Sequence, residues 1–397
     1  MRDAVLRPAR TGLLAGTTLL KGVAPLLLMG ALIVIFLRFG PVGVFEAAFP
    51  PVEELTIDRI TLPAEGQLRV RVINGGPDAV TIAQVMVDDA NWMHTVDGSR
   101  TVGRLASREI SIPYPWVEGE PHEIKVLTST GLTFSATVEV ATRTPRPDAR
   151  YLGTFAMLGV YVGVVPVFLG LLWLPFLRTI GRRGIDFFLS LTVGLLVFLG
   201  VDAIEEALAT AAALPGAVHG IGLILLGVVG TPLMIHSLSR RGPSAGPESA
   251  LRVSALIAIA IGLHNFGEGL AIGAAYSSGA IALGTFLVLG FLIHNTTEGL
   301  GIVAPLSREK PSLAQLAMLG IVAGAPTIVG AWVGGFVYSP LWTTLFFAIG
   351  AGAIAQVVLL LWRRFLAGSS GSLTAANAAG ILLGLLIMYG TSLLVTA

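Results

Sequence analysis

The sequence contains no cysteine, which excludes disulfides, thiolate metal sites and cysteine nucleophiles. Charge is scarce as well: 12% of the 397 residues are Asp, Glu, Lys or Arg, against roughly 25% in ordinary soluble domains. That excludes a soluble globular protein. The 25 Lys+Arg and 24 Asp+Glu leave a net charge of +1, so nothing in the balance draws in nucleic acid or another polyanion. Histidine is rare, at six residues, and its positions therefore carry weight. What the chain has in quantity is apolar surface and glycine, with 54% hydrophobic residues, a mean hydropathy of +0.81, 49 Gly and 22 Pro. Disordered chains are poor in apolar residues, so the glycines fit close helix packing in lipid instead.

A helix rising about 1.5 Å per residue needs about twenty apolar residues to cross roughly 30 Å of hydrocarbon. Nine runs meet that need. The first spans Gly22 to Phe39, after a basic leader with Arg2, Arg7 and Arg10. The other eight lie near Tyr151 to Leu177, Ile185 to Thr210, Ala217 to Ser237, Leu251 to Tyr276, Ile281 to Pro305, Leu313 to Tyr338, Leu341 to Trp362 and Thr374 to Ala397.

Between Pro50 and Pro147 the pattern changes to charges, prolines and alternation of period two, as in Gln67-Leu-Arg-Val-Arg-Val-Ile73. Further short runs at Val80 to Val87, Glu109 to Ile112, Glu123 to Leu127 and Thr133 to Val140 are divided by turn signals such as Asn74-Gly-Gly-Pro77. About seven strands in such a stretch predict an immunoglobulin-like sandwich, with a small barrel as the alternative. The expected fold class is an all-α polytopic membrane protein, an eight-helix bundle plus one N-terminal transmembrane helix, with an inserted all-β sandwich domain. The expected domains are residues 1–45, 50–147 and 151–397.

Short loops rich in Lys and Arg stay cytoplasmic. Alternating crossings put the leader inside, the β domain outside, and every later basic cluster inside: Arg178, Arg182 and Arg183; Arg240, Arg241 and Arg252; Arg308 and Lys310; Arg363 and Arg364. The intervening loops Ala211 to Gly216 and Ser277 to Ala280 carry no Lys or Arg. The expectation is a multi-pass protein of the cell inner membrane, its N-terminus cytoplasmic and its C-terminus outside. A cleaved signal peptide is the alternative reading of residues 1–45.

Charged residues inside apolar helices are costly and point to function. Two near-identical segments sit in mid-run, His264-Asn-Phe-Gly-Glu268-Gly269 and His294-Asn-Thr-Thr-Glu298-Gly299. At about 100° per residue, the His, Asn and Glu of each share one sector of about 100°. A turn near Gly279 makes the two helices antiparallel and leaves His264 and His294 fifteen residues to either side, at similar depth. Two imidazoles, two carboxylates and two amide oxygens can then converge, a set suited to Zn²⁺, with Fe²⁺, Mn²⁺ or Cd²⁺ as alternatives. The bland alternative is a polar cluster that only locks the packing. It would have to protonate or pair its glutamates, and no Lys or Arg is near in sequence.

Over about residues 151–397 the sequence resembles the ZIP (Zrt/Irt-like) family of divalent metal transporters, whose fourth and fifth helices carry segments like these. The resemblance implies that His264, Asn265, Glu268, His294, Asn295 and Glu298 line a two-metal site whose glutamates bridge. It also implies three outer helices on each side related by an inverted repeat, a homodimer, and metal moving into the cytoplasm. Two departures stand out. Many members carry a Glu-Pro pair in the sixth helix where this chain has Ala325-Pro326, which takes a carboxylate from the second metal. The loop from Ser237 to Arg252 lacks the histidines common there.

Asp202, Glu205 and Glu206 in the second helix of the eight are candidates for the metal pathway near the outer mouth; the alternative is that they end the helix in water. His219 and His236 read as interfacial, and Asp186 as a charge favoured by the helix dipole. In the β domain, Asp88, Asp89, His94 and His122 are a weaker metal candidate, while Trp92, Met93 and Trp116 are expected in the sandwich core or a dimer contact. The expected function is transport of a divalent metal, by alternating access. The competing classes are an intramembrane metalloenzyme and a membrane metal sensor. The hydrolase spacing His-Glu-x-x-His is missing, so no enzyme is expected.

Overall fold

The structure is a computed structural model that describes residues 16–39, 52–239, 249–337, 339–368 and 373–396. The leader arginines, Arg240 and Arg241, most of the 237–252 loop, Tyr338, Ala397, and the side chains of His236 and Arg364 lie outside the described residues. The chain divides into two compact units, Met1–Val52 and Glu53–Ala397. The described part of the first is helix α1 (Gly16–Phe39), which contains Pro25 and the apolar stretch Val23–Ile35.

The second unit begins with nine strands, β1 (Leu55–Ala64), β2 (Gln67–Asn74), β3 (Val80–Val87), β4 (Ala90–Asn91), β5 (Thr95–Val96), β6 (Thr101–Val102), β7 (Ser107–Ile112), β8 (His122–Thr128) and β9 (Thr133–Val138). They form two antiparallel sheets ordered β1-β2-β7-β5 and β4-β3-β8-β9, with β6 paired to β3. Alternation builds them: Leu68, Val70 and Val72 of β2 point into the core shared with Ile82, Ile110, Ile124 and Val126, while Arg69 and Arg71 point out. The two-residue turn between β3 and β4 places both Asp88 and Asp89 at positive φ, a conformation that Asp tolerates and tight hairpin turns need. The count exceeds the expected seven because β4, β5 and β6 are two-residue pairings too short to leave an alternating trace. Trp92 and Trp116 pack against the core, the latter donating to the Ala64 and Gln67 carbonyls, whereas Met93 is exposed.

Eight helices long and apolar enough to cross a membrane follow. They are α2 (Ala149–Leu177), α3 (Arg182–Ala212), α4 (Gly220–Ser239), α5 (Ala250–Ser277), α6 (Ile281–Val303), α7 (Leu313–Val337), α8 (Pro340–Gly368) and α9 (Ala375–Thr396). Two carry irregularities at proline: α2 contains a π segment, Val160–Val164, just before Pro166, and α7 is interrupted at Ala325, just before Pro326. Asp186 lies beyond the first turn of α3, so the dipole reading does not hold for it.

The central pair α5 and α6 is embedded among the others, α5 against α7 and α8, and α6 against α2 and α9. Glycine permits this. A Cβ at Gly269 or Gly273 of α5 would collide with carbonyls of α7, and one at Gly330 or Gly334 of α7 would collide with carbonyls of α5. Arg178 after α2 donates to the Glu309 carbonyl at 2.8 Å, which brings the loops after α2 and α6 together at one end of the bundle. The β strands adjoin the other end, where Gly279, at φ +82°, makes the α5–α6 turn.

Candidate metal centre

His264, Asn265 and Glu268 on α5, and His294, Asn295 and Glu298 on α6, are all buried, at 5% exposure or less. Among the described residues, His264, Glu268 and His294 form the group whose ligand atoms all lie within 4.8 Å of one another. His264 Nε2 stands 3.2 Å from Glu268 Oε1, close to the ligand–ligand spacing of about 3.3 Å on a tetrahedral ion bound at about 2.0 Å. His294 Nε2 is hydrogen-bonded to the same oxygen. The other oxygen, Glu268 Oε2, accepts from Asn295 Nδ2 at 2.9 Å.

The two asparagines bind backbone that the proline irregularities release. Pro166 has no N–H, so the Val162 carbonyl loses its helical donor, and Asn295 Nδ2 supplies one at 3.0 Å. On the other side, Asn265 Nδ2 donates at 3.1 Å to the Ala323 carbonyl, in the last turn before the break in α7. Each amide thereby spends its donors on protein and leaves its oxygen unpartnered. Asn265 Oδ1, Asn295 Oδ1 and both oxygens of Glu298 are buried without a hydrogen bond. Buried acceptors are almost always satisfied, so this concentration of lone pairs calls for a positive partner. Among the described residues, no Lys or Arg is buried.

Glu298 stands apart from the three gathered ligands. A small apolar space beside it is lined by Thr192, Leu195, Leu196, Leu199, Ile261 and Met388. Thus the six expected residues are all buried within the bundle, and three of them converge on one point.

A cavity of about 150 Å³ opens from that point, lined by His264, Glu268 and His294 at one end and by Asp202, Glu205 and Glu206 of α3 at the other. Phe291 and Phe347 wall it; their rings lie 5.2 Å from His294 and 6.5 Å from His264. Helix α3 continues past the three acids to Ala212, so they do not end it. His219 caps the turn before α4 in the left-handed conformation and is not among the cavity's lining residues. The released carbonyls of Val162 and Ala323 escape a reading of side chains, although mid-run Pro166 and Pro326 are their visible signal.

The β-domain candidates do not converge in this way. Asp88 Oδ2 accepts from Tyr114 at 2.7 Å and lies 2.8 Å from His122 Nδ1, while Asp89 pairs with Lys125 at 2.6 Å. His94 Nδ1 faces the Trp92 carbonyl. Burial would raise the Asp88 carboxyl, but the hydrogen bonds from Tyr114, His122 and the Glu123 amide hold it below the usual range. The Tyr114 hydroxyl is pushed up to about 12 by burial and by the same aspartate.

Residues 236–392, which contain both His-Asn-x-x-Glu-Gly segments, match the family model described as ZIP zinc transporter. No curated protein matches the chain.

Proposed function

We propose that the chain, whose residues 236–392 match the ZIP zinc transporter family model, is a member of that family of transporters and moves Zn²⁺ into the cytoplasm by alternating access between α5 and α6. A divalent metal as substrate and a multi-pass membrane protein are what the family and the eight apolar helices support directly. The finer reading is ours. Glu268 binds the ion together with His264 and His294, whose nitrogens favour a transition metal over Mg²⁺ or Ca²⁺. Asn295 orients Glu268 from behind, and Asn265, Asn295 and Glu298 offer further oxygens, Glu298 at a second position deeper in the bundle. Asp202, Glu205 and Glu206 conduct the ion to this point. Fe²⁺, Mn²⁺ and Cd²⁺ are the competing cargoes.

One observation carries the proposal: buried nitrogen and oxygen lone pairs lie unpartnered in the middle of the membrane-spanning helices, with no buried Lys or Arg among the described residues. A cation that is taken up and released relieves that cost without needing a permanent partner. The basic loops after α2 and α6 meet at the end of the bundle opposite the β strands, which supports a cytoplasmic basic end and an outward β domain in the inner membrane. We read residues 50–147 as immunoglobulin-like, since the sheet orders match that fold's two-sheet pattern with the short strands β4 and β6 added. Residues 1–45 form the anchor, 151–397 form the transport unit, and the assembly is a homodimer.

Uptake of radioactive zinc into proteoliposomes tests this. The wild-type chain accumulates zinc, and Mn²⁺ or Cd²⁺ competes while Mg²⁺ does not. Accumulation that persists in a Glu268→Ala, Glu298→Ala double variant rejects the site.

A further inference from the structure

The cavity at the metal centre adjoins a larger one of about 420 Å³. The two share Glu206, Ala271, Leu287 and Phe347 in their linings. From the helices the larger cavity is lined by Thr210, Ala274 and Ser278, and from the β domain by Asp58 and Arg59 of β1 and Thr137 of β9. The β domain thus forms one wall of the space next to the acids of α3.

That wall is fastened. Arg59 Nη1 donates to the Phe336 carbonyl at the end of α7 at 3.0 Å, and the Gly216 amide before α4 donates to Glu54 Oε1 at 2.7 Å. The Gly279 turn lies so close to the Val140 carbonyl that a Cβ would not fit between them. The wall also has its own chemistry. The pairing of β1 with β2 shifts register between Ile57 and Arg59, so Asp58 is a bulge residue outside the ladder, a device that re-aims side chains near sites. Its carboxylate lies 3.5 Å from Arg71 Nε and next in sequence to Arg59, the arginine that lines the cavity, so it offsets positive charge at this wall.

We propose that the β domain is a latched roof over the outer vestibule, held by Glu54 and Arg59, which admits small hydrated cations and excludes bulky metal complexes. Asp58 is the specificity-determining group of that roof, because it cancels the arginine charge that would repel a cation on its way to Glu206. The proposal rests on the transport reading for its direction, with the ion entering from the β-domain side. A space of about 420 Å³ holds an ion with several waters at about 30 Å³ each.

The natural absence of cysteine makes the roof directly testable. In the full chain carrying Ala274→Cys, a small cationic methanethiosulfonate reagent is expected to modify the thiol readily. A polyethylene glycol maleimide is expected to react at least about tenfold more slowly, limited by opening of the roof. Adding Glu54→Ala and Arg59→Ala should bring the polymer to the rate it shows with an exposed thiol. Equal access for the polymer in the latched protein overturns the proposal.

A second measurement does not depend on the latch variants folding. Asp58→Asn should raise KM for zinc uptake about threefold to tenfold with kcat unchanged, as expected for one charge acting several ångströms away in a partly hydrated space. Asp58→Glu should restore it, and an unchanged KM in Asp58→Asn overturns the role given to Asp58. Labelling needs no transport, so size-selective labelling without uptake would remove the transport reading and leave the roof, while uptake with indiscriminate labelling would do the reverse.

Discussion

Glu268 on α5 and Glu298 on α6 hold matching positions in two antiparallel helices, and their surroundings differ. Glu268 is met by His294, His264 and Asn295. Glu298 lies beside a small apolar space and makes no well-formed hydrogen bond, although Asn265 and the two histidines are its neighbours. The duplicated motif therefore gives a binding carboxylate and a reserve one. The cause is in the third and fourth positions of the motif and in the neighbours: Gly267 lets Phe347 press against α5, while Thr296 and Thr297 turn their hydroxyls back onto their own helix.

The largest test of this inequality is Glu268→Gln, which should lower zinc uptake by more than the roughly 100-fold upper range for an outer-shell partner of a metal site. It should also lower the unfolding temperature of the metal-free protein, since it weakens bonds from both His294 and Asn295. Glu298→Gln should cost less on both counts: uptake falls by about tenfold, and the unfolding temperature of the metal-free protein changes less than in Glu268→Gln, because no well-formed hydrogen bond is lost. Thermal unfolding of purified protein with and without zinc separates the two. Equal losses in both variants would make the carboxylates equivalent.

The asparagines give a smaller contrast. Asn295→Ala should cost about 1–3 kcal/mol, by leaving the Val162 carbonyl bare, and raise the KM for zinc by freeing Glu268. Asn265→Ala bares the Ala323 carbonyl at similar cost in stability but should move KM less, because Asn265 does not hold Glu268. Chemical denaturation and uptake kinetics on the same preparations check the ordering.

The smallest effect concerns the other His–carboxylate pair, His122 and Asp88, which lies outside the membrane helices. Asp88 is held below its ordinary range in the folded protein, so the pair's stabilisation is present at neutral pH and is lost as the pH falls below the ordinary carboxylate value. Because Asp88 is 41% exposed, the contribution is at most about 1 kcal/mol. Near-ultraviolet circular dichroism of Tyr114 and Trp92 should follow that acid transition in the wild type and lose it in Asp88→Asn, with zinc uptake unchanged.

Much of this was legible from residue order. The eight long apolar runs, the alternating strands β2, β3, β7, β8 and β9, and the facing of His264 and His294 across Gly279 follow from periodicity and chain length alone. The inequality of the two glutamates was not, because helical angles place a side chain on a face and say nothing of the neighbour it meets. Strand β1 escaped for a related reason. Its bulge at Asp58 and its docking on the helices leave only intermediate burial between Leu55 and Leu62, so no clean alternation marks it.

The contact of α5 with α7 through glycines has one further consequence. Where backbone rests on backbone there are no rotamers to yield, so the two helices form a stiff shaft. Any shift of α5 would therefore carry the Pro326–Val337 part of α7 with it, and with that part Phe336, whose carbonyl accepts from Arg59 at the far end.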